Sequence, residues 1–219
     1  MTTASFLCDA ILFDLDGVLV DSHECVARIV RQWCERHGLD AGHVIATAQG
    51  RRPVETVQLV APSLDAASEA AWLISREATE TEGVFPVPGA TRLLGGLPPR
   101  AWAVVTSGAR ATAELRMRHA GLPRPPILIC SEDVIFGKPH PEPYLTAARH
   151  LKVSPGGCVV IEDAPPGIES ARRAGMRTIG VLSTYGAGAV EGADIIATSL
   201  ASLNIRPVGG RIDVGVVAR

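Results

Sequence analysis

Residues 11–20 read ILFDLDGVLV, an apolar run of strand character that carries two carboxylates, Asp14 and Asp16, with Gly17 directly after the second. Its apolar residues are continuous rather than alternating, which suits a strand buried on both faces, hence a parallel sheet. Carboxylates gathered at the end of a buried strand need a positive charge or a reaction to hold them there, because an unpaired buried charge is costly.

Other runs share that character: AWAVVT (101–106), PILIC (126–130), CVVIED (158–163), RTIGVL (177–182) and the weaker DIIAT (194–198). Helical patterns lie between them. ARATAELRMRHA (109–120) stops at Gly121, a C-terminal cap. PYLTAARHL (143–151) is apolar at Tyr144, Ala147, Ala148 and Leu151, with prolines at its start, where a helix tolerates them. Residues 167–174 end at Gly175. Strand alternating with helix predicts right-handed crossovers and a doubly wound α/β sheet.

The stretch 18–88 breaks the rhythm. SHECVARIVRQWCERHG places Val26, Ile29, Val30, Trp33 and His37 on one helical face, with Asp21 or Ser22 as N-cap and Gly38 as stop. PVETVQLVA and DAASEAAWLISREATETEG also read as helical, Trp33 and Trp72 as core, and no strand-like run intervenes. The expectation is a core of residues 1–17 and 89–219 interrupted by an all-helical insert of residues 18–88, re-entered at VFPVPGA. The tail after Leu203 reads as a short hairpin or a loose end.

Bulk properties exclude several classes. The 219 residues are 47% hydrophobic and 20% charged with a net charge of −2, which fits one sizeable domain or a core with an insert. No basic tract invites nucleic acid. The longest apolar runs fall short of a membrane span, and MTTASFLCDA lacks the basic start and apolar stretch of a signal peptide. Five scattered cysteines without a CxxC pair read as free, buried thiols of a reducing compartment, so a cytoplasmic protein is expected.

In open α/β sheets the working crevice lies beyond the carboxyl ends of the strands. There the runs present Asp14 and Asp16, then Thr106-Ser107-Gly108, then Lys138 between Gly137 and Pro139, then Glu162-Asp163. Four carboxylates in one crevice repel one another unless a cation sits among them, and oxygen donors without a His or Cys cluster select a hard ion, Mg²⁺. Magnesium, a lysine, a hydroxyl and glycine amides are equipment for holding a phosphoryl group.

DLDGVLVDS, VVTSG, GKPHPEPY and IEDAPPGIESARRAG resemble, in order and spacing, the four motifs of the haloacid dehalogenase (HAD) superfamily, over almost the whole chain. The insert sits where that superfamily's β-phosphoglucomutase-like branch carries a helical C1-type cap. GRRPVETVQLVAP, ATETEG and GKPHPEPYL look most like bacterial sugar (hexitol) phosphatases and the related glycerol-3-phosphatases and 2-deoxyglucose-6-phosphatases.

The resemblance implies a HAD-like Rossmannoid core with an inserted helical cap, acting as a Mg²⁺-dependent phosphatase on small sugar or polyol phosphates. It makes Asp14 the nucleophile that forms an aspartyl-phosphate and Asp16 the acid, then base. Mg²⁺ would be held by Asp14, the Asp16 backbone carbonyl and Asp163, with Glu162 in or near the outer shell. Thr106, Ser107, the Gly108 amide and Lys138 would hold the phosphoryl group, and Ser107 would also suit a cap on the next helix. Arg51, Arg52 and His23 are candidates for substrate contact from the cap, as are Glu80 and Glu82.

Val18 and Ala109 depart from the residues common after the first and second motifs. A cap arginine able to hold a second phosphate would favour a sugar phosphomutase, and a catalytically silent binding module is a third reading. A monomer is expected, with a small phosphorylated sugar or polyol as its partner and neither nucleic acid nor membrane.

Overall fold

The computed structural model describes residues 4–182 and 187–216. Of the core range expected from sequence, residues 1–3, 183–186 and 217–219 lie outside the described residues. The chain runs through β1 (Ser5–Cys8), β2 (Ala10–Phe13) and β3 (Val20–Asp21) into helices α1 (His23–His37), α2 (Ala41–Ala48), α3 (Pro53–Val60) and α4 (Ala66–Glu77). It continues through β4 (Phe85–Pro86), α5 (Ala90–Gly95), β5 (Trp102–Val105), α6 (Arg110–His119), β6 (Leu128–Ile129) and α7 (Glu142–Leu151). Then follow β7 (Cys158–Glu162), α8 (Pro165–Arg173), β8 (Arg177–Val181), β9 (Ile195–Ala197), β10 (Leu203–Val208) and β11 (Arg211–Val216).

All six predicted strands join one parallel sheet in the order β6-β5-β2-β7-β8-β9. The chain winds outward from β2 in both directions, so the strand order switches beside β2, where α/β sheets bind ligands. Successive residues of β2 face opposite layers: Ala10 and Leu12 pack with Tyr144, Ala147 and Ala171 of α7 and α8. Ile11 and Phe13 pack in the other layer with Trp102, Leu93 and Met117. Both faces are apolar, which is why the run shows no alternation. Phe13 and Trp102 meet edge to face at 6.4 Å and 82°, an arrangement that adds roughly 0.5–1.5 kcal/mol beyond simple burial.

The helical stretch holds two corrections. Residues 18–88 contain strands after all: β3 pairs antiparallel with β4, Val20 with Pro86 and Asp21 with Phe85. This ribbon ties the exit from the core to the return. Trp72 is half-buried rather than core, with the Arg36 guanidinium 4.5 Å over its ring, and Val26 and His37 are likewise partly exposed. Otherwise α1 buries Cys25, Ala27, Ile29, Val30, Trp33 and Cys34 and ends at Gly38 in a left-handed cap. Trp33 donates from its indole to Glu69 of α4 at 2.7 Å. Asp40 and Asp65 cap α2 and α4 by accepting from the amides of His43 and Ala67, each worth about 1 kcal/mol.

The tail is a hairpin. β10 and β11 pair antiparallel around Gly209 and Gly210, and β11 pairs with β1 in a three-stranded sheet. All five cysteines are free and buried; burial pushes the Cys8 and Cys130 thiols up to about 12. No described helix is long and apolar enough to cross a membrane.

Candidate active site

Strand register brings the motifs together. Phe13 pairs with Val104 on one side and Ile161 on the other, so β2, β5 and β7 end level and deliver Asp14, Thr106 and Glu162 to one edge. Above that edge a cavity of about 140 Å³ opens between the strand ends and helices α1 to α4. Asp14, Asp16, Asp163 and Thr106 line its floor, and Val26, Ile45, Ala48 and Arg51 lie among its walls.

Asp14 lies in a wholly buried cluster. Lys138 Nζ, 1% exposed, donates to Asp14 Oδ1, to Glu162 Oε1 at 2.7 Å and to the Val105 carbonyl at 3.1 Å. Tyr144 Oη donates to the same Glu162 Oε1 at 2.9 Å, while Glu162 Oε2 accepts from the amides of Asp163 and Ala164. These four bonds use the acceptor sites a carboxylate has. Glu162 therefore anchors the lysine and the turn that carries Asp163. Gly167 is a glycine because a Cβ there would fall 1.6 Å from Glu162 Oε1.

Burial pushes the Asp14 carboxyl well above the usual carboxylate range, Lys138 opposing and Glu162 and Asp163 reinforcing that rise. Burial alone would discharge the lysine, but Asp14 and Glu162 outweigh it and hold its pKa above the ordinary value. Lys138 is therefore an ammonium.

Asp16 sits in different company. Gly17, at φ 85°, turns the chain out of strand geometry, and a Cβ on it would lie 2.0 Å from Asp163 Oδ2. Ser22 Oγ donates to Asp16 Oδ1 at 2.6 Å, and so does Arg116 Nη1 at 2.8 Å. Arg116 reaches in from α6 and gives its Nη2 to Glu77 Oε2 at the end of α4, 3.1 Å away. Ser22 thus holds the N-cap position of α1 without capping it; Asp21 Oδ1 instead accepts from the His23 amide at 3.2 Å.

The structure redistributes other expected residues. Ser107 does not cap α6; its hydroxyl donates to the Gly50 carbonyl at 2.8 Å, and Glu132 accepts from the Arg110 amide in its place. The Gly108 amide donates to Thr106 Oγ1 at 3.0 Å. Both phosphate-holding candidates are thus hydrogen-bonded within the chain, though both still line the cavity. His23 and Arg51 also line it, the latter donating to the Thr47 carbonyl. Arg52, expected beside it, is not among the lining residues. Its guanidinium pairs with Glu55 and donates to the Ile135 carbonyl at 3.1 Å, joining α3 to the loop before Lys138. Glu80 and Glu82 pair with Arg28 outside the cavity.

Sequence reasoning missed Ser22, Glu77, Arg116 and Tyr144. Two of them carried a local signal: Arg116 shares a helical face with the buried Thr112, Ala113 and Met117, and Tyr144 lies on the apolar face of α7.

The cluster also fits a divalent cation. Asp14, Glu162 and Asp163 each offer a carboxylate oxygen, all within 4.8 Å of one another. The donors are oxygen only, which suits a hard ion such as Mg²⁺. Three buried carboxylates stand beside one ammonium, which leaves negative charge in surplus for a cation to balance. With Glu162 already saturated, Asp14 and Asp163 are the side chains placed to take the ion.

The sequence model of the haloacid dehalogenase-like hydrolases matches residues 8–175. Hexitol phosphatase A of Escherichia coli is 39% identical over 206 residues, covering 90% of this chain and 94% of that protein. Glycerol-1-phosphate phosphohydrolase 2 of Saccharomyces cerevisiae is 35% identical, covering 92% and 86%. The crystal structure of a hydrolase from Pseudomonas syringae superposes with a TM-score of 0.78 at 25% identity, over 88% of this chain and 94% of that one.

Proposed function

The chain belongs to the haloacid dehalogenase-like hydrolases and is a phosphoric monoester hydrolase, and from that premise we propose that it hydrolyses small sugar or polyol phosphates through an aspartyl-phosphate. Residues 18–88 are a cap over a core of 1–17 and 89–219, and the enzyme is a cytoplasmic monomer. One observation carries the reading: Asp14, Asp163 and Thr106 meet at the level ends of three strands on the floor of a cavity roofed by helices, with the Lys138 ammonium bonded to Asp14 from the loop before α7.

With Oδ1 held by Lys138, the other oxygen of Asp14 attacks phosphorus as the bond to the sugar oxygen breaks. Asp16 gives its proton to that departing oxygen. It then takes a proton from a water whose oxygen attacks the same phosphorus, releasing inorganic phosphate and restoring the Asp14 carboxylate. The Lys138 ammonium holds negative charge shared by nucleophile and phosphoryl group. Ser107 and the Gly108 amide face the same space and exchange their internal bonds for phosphoryl oxygens. Mg²⁺, held by Asp14, Asp163 and the Asp16 backbone carbonyl with Glu162 behind them, would neutralise phosphoryl charge as a Lewis acid. The roof excludes bulk water and reads the leaving group through Arg51 and His23.

Phosphate release from hexitol, hexose and glycerol phosphates, with and without Mg²⁺, tests the proposal. Asp14→Asn should lower release by about 10⁴-fold or more, and a chelator should stop the wild type. Turnover that survives both refutes it. Isomerised sugar phosphate in place of free phosphate would identify a mutase, the outcome that Arg51 in the cavity wall would serve as a second phosphate site.

A further inference from the structure

Arg116 belongs to no part of the chemistry above, yet it is 2% exposed and lines the cavity. A guanidinium in that setting is disfavoured unless paired, and a methionine would fill the same volume without charge. Its pairs explain its presence. Nη1 reaches Asp16 in the first motif, and Nη2 reaches Glu77 in the last turn of α4. The third donor, Nε, has no partner among the described groups. A buried donor left unpaired is unfavourable, so the two carboxylates, rather than satisfaction of every donor, set the orientation of the side chain.

The bonds to Asp16 are one-sided. Ser22 and Arg116 both donate to Oδ1, which fixes the rotation of the carboxyl group and leaves Oδ2 to meet the reacting oxygen. Ser22 and Glu77 lie on the helical stretch, whereas Arg116 lies on α6 of the sheet layer. The link Asp16–Arg116–Glu77 therefore spans the cavity from its floor to its roof. A lysine could not make it in the same way, because an ammonium lacks the planar fork that serves two carboxylates at once.

We propose that Arg116 is a positioning residue for Asp16, aiming its free oxygen at the leaving group, and that Glu77 makes this aim depend on α4 being seated on the core. The proposal rests on the reading of Asp16 as proton donor to the leaving oxygen. A sugar alkoxide needs that proton to depart; a p-nitrophenolate does not. Arg116 should therefore matter for alkyl phosphates and matter little for aryl ones.

The test compares kcat/KM on whichever hexitol, hexose or glycerol phosphate the wild type turns over fastest and on p-nitrophenyl phosphate, a quantity that covers the steps through departure of the leaving group. In Arg116→Ala the alkyl ester should lose about 10²–10⁴-fold while the aryl ester loses less than about tenfold. Glu77→Gln should show the same selectivity at smaller amplitude, and Arg116→Lys should fall between wild type and Arg116→Ala. Equal losses on both esters, the mark of a merely structural residue, would overturn the proposal. Circular dichroism checks folding, and should Arg116→Ala fail to fold, the Glu77→Gln and Arg116→Lys ratios decide on the same criterion. An active wild type with unselective variants removes this role alone. A wild type that releases phosphate from none of the hexitol, hexose, glycerol and p-nitrophenyl phosphates, with or without Mg²⁺, removes the phosphatase reading and this role together.

Discussion

Asp14 and Asp16 leave the same strand two residues apart, yet they are held by different parts of the molecule. The partners of Asp14 come from the sheet layers: Lys138 directly, with Glu162 and Tyr144 behind it and Asp163 alongside. Those of Asp16 bridge to the helical stretch through Ser22, and through Arg116 to Glu77. The surroundings of Asp14, the proposed nucleophile, are thus complete without helices α1 to α4, whereas those of Asp16, the proposed acid, are not. In the proposed mechanism this division would tie proton delivery, but not attack, to the seating of the roof. Burial pushes carboxyls up on both sides: Asp14 with Lys138 opposing, and Glu77 with Arg116 opposing and Asp16 reinforcing.

The harshest way to break the contrast is Lys138→Met. It strips the shared ammonium from two buried carboxylates, and removing one partner of a buried ion pair costs roughly 3–5 kcal/mol. Chemical denaturation should show a loss of that order, and turnover should vanish on alkyl and aryl esters alike. A loss within about 0.5 kcal/mol, as for an ordinary surface lysine, would mean that the Asp14 cluster is not built as described.

Gly17→Ala probes the joint between the two regions. The residue sits at φ 85°, where an L side chain costs about 1–2 kcal/mol, and its new methyl would press on Asp163 at 2.0 Å. Stability should fall by at least that strain, and Mg²⁺ should be needed at higher concentration because Asp163 must move. An unchanged metal requirement would separate Asp163 from the ion.

The two regions also differ in how readable they were. The Asp14 side is built from ends of apolar strands, and parallel strands announce themselves as unbroken Val, Ile and Leu runs. Asp14, Thr106, Lys138, Glu162 and Asp163 could therefore be placed at one edge before any coordinates. The Asp16 side is built from charges on helices. Glu77 reads like a solvated surface, and its pairing with Arg116 spans 39 residues without a local period. Arg52 shows the converse error: expected with Arg51 as a substrate contact, it has its fork taken by Glu55 and the Ile135 carbonyl. The β3–β4 ribbon escaped because two residues per strand, one of them Pro86, carry no periodicity. The tail hairpin had a legible turn in Gly209-Gly210, but nothing local tells that β1 would receive it.

The mildest change sharpens the contrast by touching the Asp14 side alone. Glu142, at the start of α7, accepts from the Ile135 amide at 3.0 Å and the Phe136 amide at 2.9 Å, and so fixes the loop leading to Lys138. Those two bonds, Ile135 first, hold the Glu142 carboxyl below its ordinary value of 4.5. A carboxylate depressed in the folded state contributes stability above its unfolded value and loses it as pH falls through the folded one. Glu142→Gln should therefore be less stable than wild type by about 1 kcal/mol at neutral pH. The gap should narrow as the pH drops below 4.5 and close once the wild-type carboxyl is protonated. Denaturation curves across that interval measure it, and a gap independent of pH would show that ionisation of Glu142 contributes nothing. Because the bonds of Glu142 go to the loop before Lys138 and not to the Asp16 link, any accompanying loss of turnover should be equal on alkyl and aryl phosphates, where Arg116 variants separate them.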